Sequence, residues 1–176
     1  METKTKKSKN NKRGFELVEM IVYVAVLTIF SLIIVQTIVA MSQSLREIRV
    51  ARDISSSASL SMERITRELR TANDIDSAQS VLNDNPGKLM LLTTDISGTA
   101  QTVSFFLENG SVNLYENDIL TGSLTSGRAS TTKLIFRSLS NGKDKAVKVE
   151  MTIASMRGSY YRTENFYSTV ILRNSQ

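Results

Sequence analysis

Residues 20–41 read MIVYVAVLTIFSLIIVQTIVAM, 22 residues without a charge, a glycine or a proline. At about 1.5 Å rise per residue such a helix reaches roughly 33 Å, enough to cross a hydrocarbon layer of about 30 Å. No other stretch constrains the fold as tightly, because an apolar helix of that length must be covered by lipid or by other helices. A secretory signal peptide is one competing explanation. Its apolar region should run only about 7–15 residues and close on a small-x-small site, which Ala40 and Ser42 imitate weakly. A plain single-pass anchor is the other.

The formal charge of +5 sits at the start of the chain. Residues 1–14 hold Lys4, Lys6, Lys7, Lys9, Lys12 and Arg13 against Glu2, which leaves residues 15–176 with sixteen basic and sixteen acidic side chains. A basic tail can bind nucleic acid, but one that abuts a long apolar run more often sets membrane orientation, its positive side staying in the cytoplasm. The expected topology is therefore a cytoplasmic N-terminus, one crossing of the cytoplasmic membrane, and residues 43–176 outside. Nucleic acid is not an expected partner. The chain has neither Cys nor His, which removes thiol chemistry, disulfides, imidazole bases and the usual zinc sites together.

Two carboxylates stand against the apolar run, in Arg13-Gly14-Phe15-Glu16-Leu17-Val18-Glu19-Met20. A simple anchor has no use for them. An acid costs up to about 2.5–3.5 kcal/mol at mid-span on insertion scales, less near the interface, and such a residue points to a function and a partner. The arrangement resembles the prepilin signature, in which a basic leader ends in Gly, a Phe follows, and a Glu sits four residues beyond that Phe ahead of a long apolar helix. Lys12, Arg13, Gly14, Phe15 and Glu19 carry the match over the first 40 or so residues. The resemblance implies that a prepilin peptidase cuts between Gly14 and Phe15 and methylates the new amine, and that Glu19 meets the N-terminus of a neighbouring subunit in a filament. Such an amine is largely cationic at neutral pH and keeps its charge when methylated. Phe15 and Glu19 are also related as i and i+4, so the pair can form within one chain. A buried pair of this kind contributes more to register than to stability. Two departures stand out: Glu16 where the family more often has Thr, and Thr28 and Gln36 where many major pilins carry Gly and Pro. Glu19 rather than Glu16 is expected to carry the contact, and no proline kink is expected.

Beyond residue 41 the apolar residues thin into a stripe at Leu45, Ile48, Ala51, Ala58, Met62, Ile65, Leu69 and Ala72, spaced for one face of a helix continuing to about residue 72. Ser55, Ser56 and Ser57 are its weakest part and a possible bend. Met62-Glu63-Arg64-Ile65-Thr66-Arg67-Glu68-Leu69-Arg70-Thr71-Ala72, with the ending Val170-Ile171-Leu172-Arg173-Asn174, resembles J-type and W-type minor pilins and pseudopilins.

Residues 73–88 carry loop signals, including Pro86 and Gly87. Strands are expected at 88–93, 102–108, 111–116, 132–137, 146–154 and 165–173. The clearest has Val147, Val149, Met151 and Ile153 alternating with polar residues. Asn109 with Gly110, and Asn141 with Gly142, read as two-residue hairpin turns, which favour antiparallel pairing. The expected fold class is α+β: a long N-terminal helix, membrane-spanning in its first half, packed by its second half on an antiparallel β-sheet. The expected divisions are a cleaved leader at 1–14, a membrane and filament-core helix at 15–42, its extracytoplasmic half at 43–75, and a sheet domain at 76–176.

Catalytic patterns are missing. Asp84, Asp95, Asp118 and Asp144 lack calcium-loop spacing and read as turn caps. Tyr160, Tyr161, Phe166 and Tyr167 with Arg157 and Arg162 imitate a stacking platform for single-stranded nucleic acid, though interleaved aromatics more often pack a core. No enzyme activity, metal or cofactor is expected. The expected role is assembly of a type IV pilus, type II secretion or DNA-uptake filament. Its partners would be prepilin peptidase, other pilins or pseudopilins, and the cytoplasmic membrane. The alternative is a membrane-tethered binding domain that never polymerises.

Overall fold

The computed structural model describes residues 13–95, 97–140 and 145–172, with the side chains of residues 13–15 and 140 outside that description. The leader residues 1–12, the turn at Asn141 and Gly142, Asp144 and the ending at Arg173 and Asn174 also lie outside it. The chain divides into two compact units, Met1–Leu45 and Arg46–Gln176.

One helix, α1 (Arg13–Thr71), runs through the first unit into the second. No Gly or Pro interrupts residues 15–71, Glu16 stands in its first turn, and Arg70 in its last complements the negative end of the helix dipole. It stays α-helical through Ser55, Ser56 and Ser57. It ends where Ala72 N–H closes on Glu68 O and Asn73 N–H turns away to Leu92 O.

In the second unit the buried face of α1 is Val50, Ile54, Ala58, Ile65 and Leu69, with Ala72 buried just past its end. The expected stripe is correct from Ala58 onward and out of phase before it: Leu45 is 41 % and Ile48 55 % exposed, whereas Val50 and Ile54 are fully buried. Ser57 and Ser61 are buried with them. Ser61 donates to Leu124 O, and Ser57 Oγ accepts from Ser126 N–H at 3.2 Å. The serines are thus small polar positions where a loop reaches the helix, each paired as burial demands.

The strands form two antiparallel meanders. The first joins β1 (Asp74–Ile75), β2 (Lys88–Thr94), β3 (Ala100–Glu108), β4 (Ser111–Glu116) and β5 (Ile119–Ser123) in sequence order. The second joins β6 (Ala129–Ser140), β7 (Lys145–Arg157) and β8 (Tyr160–Ile171). All six expected strands are present and α+β is the observed class. The single expected sheet is divided in two, however, and β1 and β5 come from stretches that carried no strand signal. Asn109 and Gly110 both have positive φ, 51° and 73°, as their turn requires. Asn117 and Asp118, at 51° and 63°, make a second such turn into β5.

Apolar residues of both sheets and the helix share one core, including Leu89, Phe105, Val112, Phe136, Val149 and Ile153. The alternation read in 146–154 holds: Val147, Val149, Met151 and Ile153 all point inward. The loop between β1 and β2 is tied to the middle of β6, where Asn83 N–H donates to Phe136 O and Gly87 N–H to Leu134 O, both at 2.8 Å. A Cβ on Gly87 would stand 3.0 Å from that same Leu134 oxygen, so this approach favours glycine. Ion pairs pin the helix to the strands, Asp53 to Arg157 at 2.8 Å and Arg64 to Glu116 at 2.9 Å, while Arg64 also pairs along the helix with Glu68 at 3.0 Å.

Candidate functional site at the head of the helix

Gly14, Phe15, Glu16 and Glu19 all lie in the first turns of α1. At about 100° per residue, position 19 falls on the face of position 15 and position 16 to one side. Helix geometry therefore puts Glu19, not Glu16, in line with Phe15. The Glu19 carboxylate is engaged from the other direction, since the Tyr23 hydroxyl donates to its Oε1 at 2.7 Å. Tyr23 was not singled out in the sequence. Its signal was there all the same, a phenol four residues after an acid at the edge of an apolar run.

From Leu17 to Met41 the large apolar side chains are exposed, Tyr23, Phe30 and Ile34 among them. The helix is long and apolar enough to cross a membrane, and none of its apolar window is buried by the described residues. Its hydroxyls turn inward: Thr28 donates to Val24 O, Ser31 to Leu27 O, Thr37 to Ile33 O and Ser42 to Ile38 O, at 2.7–2.9 Å. Back-bonding of this kind satisfies a hydroxyl that would otherwise face hydrocarbon without a partner.

The aromatic platform imagined near the C-terminus is split by the strand period. Tyr160 and Phe166 are partly buried against the core, while Tyr161 and Tyr167, 61 % and 63 % exposed, lie on the outer face. Arg157 is held by Asp53 and Arg162 by Glu164. Beside Tyr167 sits Glu150, only 8 % exposed. It takes Arg137 Nε at 2.8 Å and Lys148 Nζ at 2.9 Å, with Lys133 Nζ at 3.9 Å. The Arg137 hydrogen bonds, then that of Lys148, hold its carboxyl down at about 2. Lys148 Nζ also stands 5.3 Å from the centre of the Tyr167 ring. This outer face gathers charge, but its cations already share a carboxylate.

The aspartates read as turn caps behave so where described: Asp84 Oδ1 accepts from Asn85 N–H, Asp95 from the Ser97 hydroxyl, and Asp118 occupies the β4–β5 turn. Among the described residues no three His, Cys, Asp or Glu converge as a metal site would need. A cleft of about 360 Å³ beside the β3–β4 turn is lined by Gly110, Arg128, Ser130, Ser155, Met156 and Tyr161 among others, and Arg128 is the one charged residue in its lining.

No family model, curated protein or solved structure matches this chain. The fold itself defines a class: one long N-terminal helix, apolar in its first half and packed by its C-terminal half on antiparallel sheets, a pilin-like architecture.

Proposed function

We propose that the chain is a structural subunit of a type IV pilin-like filament, a minor pilin or pseudopilin of a pilus, type II secretion or DNA-uptake system. It is made as a precursor. Prepilin peptidase removes residues 1–14, cutting between Gly14 and Phe15 on the cytoplasmic face, and methylates the Phe15 amine. Residues 15–42 then hold the subunit in the cytoplasmic membrane, with residues 43–75 and the sheet domain at 76–176 outside. On assembly the same apolar surface is covered by neighbouring helices in place of lipid.

The observation that carries this reading is a carboxylate, Glu19, in line with position 15 at the head of a helix whose apolar surface none of the described residues covers. Cleavage of the peptide bond after Gly14 would free the Phe15 α-amine, the cation that such an acid requires. N-terminal mass analysis of protein taken from its native membrane tests the proposal. Wild type is expected to begin at a methylated Phe15, and Gly14→Ala to accumulate with the leader attached. A wild-type chain that keeps residues 1–14 would instead favour a membrane-tethered binding domain that does not polymerise.

A further inference from the structure

The Glu19 carboxylate stands at the edge of the apolar run, with Leu17, Val18, Met20 and Ile21 beside it in the sequence, and hydrocarbon offers it no hydrogen-bond donor. Four residues on, Tyr23 is the one tyrosine of the apolar run, and its hydroxyl donates to Glu19 Oε1 at 2.7 Å. The direction follows from helix geometry. Long side chains lean toward the N-terminus, so a ring at position 23 reaches back over the turn that carries position 19. A Val, Ile or Phe at 23 would suit lipid as well and give the acid nothing.

We propose that Tyr23 is a positioning residue for subunit docking: it supplies the donor that Glu19 lacks in lipid and holds the carboxylate along the helix axis. A carboxylate has two oxygens. With Oε1 engaged from one side, the second can accept from an ammonium group arriving at the position-15 side, where the neighbouring subunit's N-terminus would enter. The acid then need not turn away to the headgroups while the subunit waits in the membrane. The docking consequence rests on the filament-subunit reading; the hydrogen bond itself does not.

The test uses the full chain, wild type and Tyr23→Phe, which keeps the ring and loses only the hydroxyl. In vesicles of phosphatidylethanolamine and phosphatidylglycerol, infrared spectra of chain labelled with 13C at the glutamate carboxyls identify the Glu19 band as the one lost in Glu19→Ala. That band is expected to shift in Tyr23→Phe, and a band that stays in place overturns the inference. Incorporation into sheared filaments is expected to fall about tenfold in Tyr23→Phe, the order set by one hydrogen bond to an ionised group. A shifted band with wild-type incorporation overturns the docking role. If Glu19→Ala itself incorporates normally, the assembly reading of Glu19 fails, while the infrared result still judges the Tyr23 contact.

Discussion

Glu150 concentrates the electrostatics of the sheet domain. Three cations stand within 4 Å of one nearly buried carboxylate, Lys133, Arg137 and Lys148, and the same contact raises the Arg137 guanidinium above its ordinary value. Because the Glu150 carboxyl is held at about 2 in the fold against 4.5 ordinarily, its pairing stabilises the fold fully above pH 4.5 and is lost as the pH falls through about 2. Urea midpoints measured from pH 6 down to pH 2 are expected to fall more steeply in wild type than in Glu150→Gln, which has no proton to take up. Parallel curves would show that the cluster is inert. Gly110 makes a second residue-scale case, with φ at +73° and a would-be Cβ 2.4 Å from Ser130 Oγ. Gly110→Ala is expected to cost about 1–3 kcal/mol, from strain and the displaced serine together, as read by chemical denaturation. The turn was legible from Asn109 and Gly110 because few residues tolerate two successive positive φ values. Neither Glu150 nor Tyr23 was legible as a centre of interactions, because in each case the partner and the geometry become visible only once the chain is folded.

The lesson of α1 lies in its phase. Leu45, Ile48 and Ala51 make one apolar stripe and Val50 and Ile54 another, and both run into Ala58 at helical spacing, so periodicity cannot choose between them. The strands chose, by covering Val50 and Ile54. Ile54→Ala is expected to cost about 2–5 kcal/mol through lost burial and a cavity. Ile48→Ala should stay within about 0.5 kcal/mol, as exposed positions do. Equal losses at the two sites would contradict the observed phase. β7 was readable residue by residue, since a strand with one buried face writes that face at every second position. β1 and β5 were not: β1 is two residues long, and β5 is an edge strand with Ile119 and Leu120 outward. Edge pairing draws on hydrogen bonds supplied by a neighbour, not on a buried side-chain pattern.

The two units differ in how their apolar surface is met. Arg46–Gln176 buries a core of its own, whereas the large apolar residues described in the first unit, from Leu17 to Leu45, face outward. A chain begun at Arg46 is expected to stay soluble without detergent and unfold in one cooperative transition, while the full chain should require detergent or vesicles. Sedimentation with circular dichroism checks both, and aggregation of the shorter chain would count against an independent core. The amino-acid sequence alone determined the apolar helix, the charge asymmetry ahead of it, the Gly14, Phe15 and Glu19 motif, the α+β class and six of the eight strands among the described residues. Each is written locally, as composition, spacing or a turn's φ requirement. Only the tertiary structure decided the division into two sheets, the face by which α1 packs, the serines that admit a loop, and the carboxylates that end up paired. Those depend on which distant segments come within contact distance, and contact is a property of the folded chain that spacing along it does not carry.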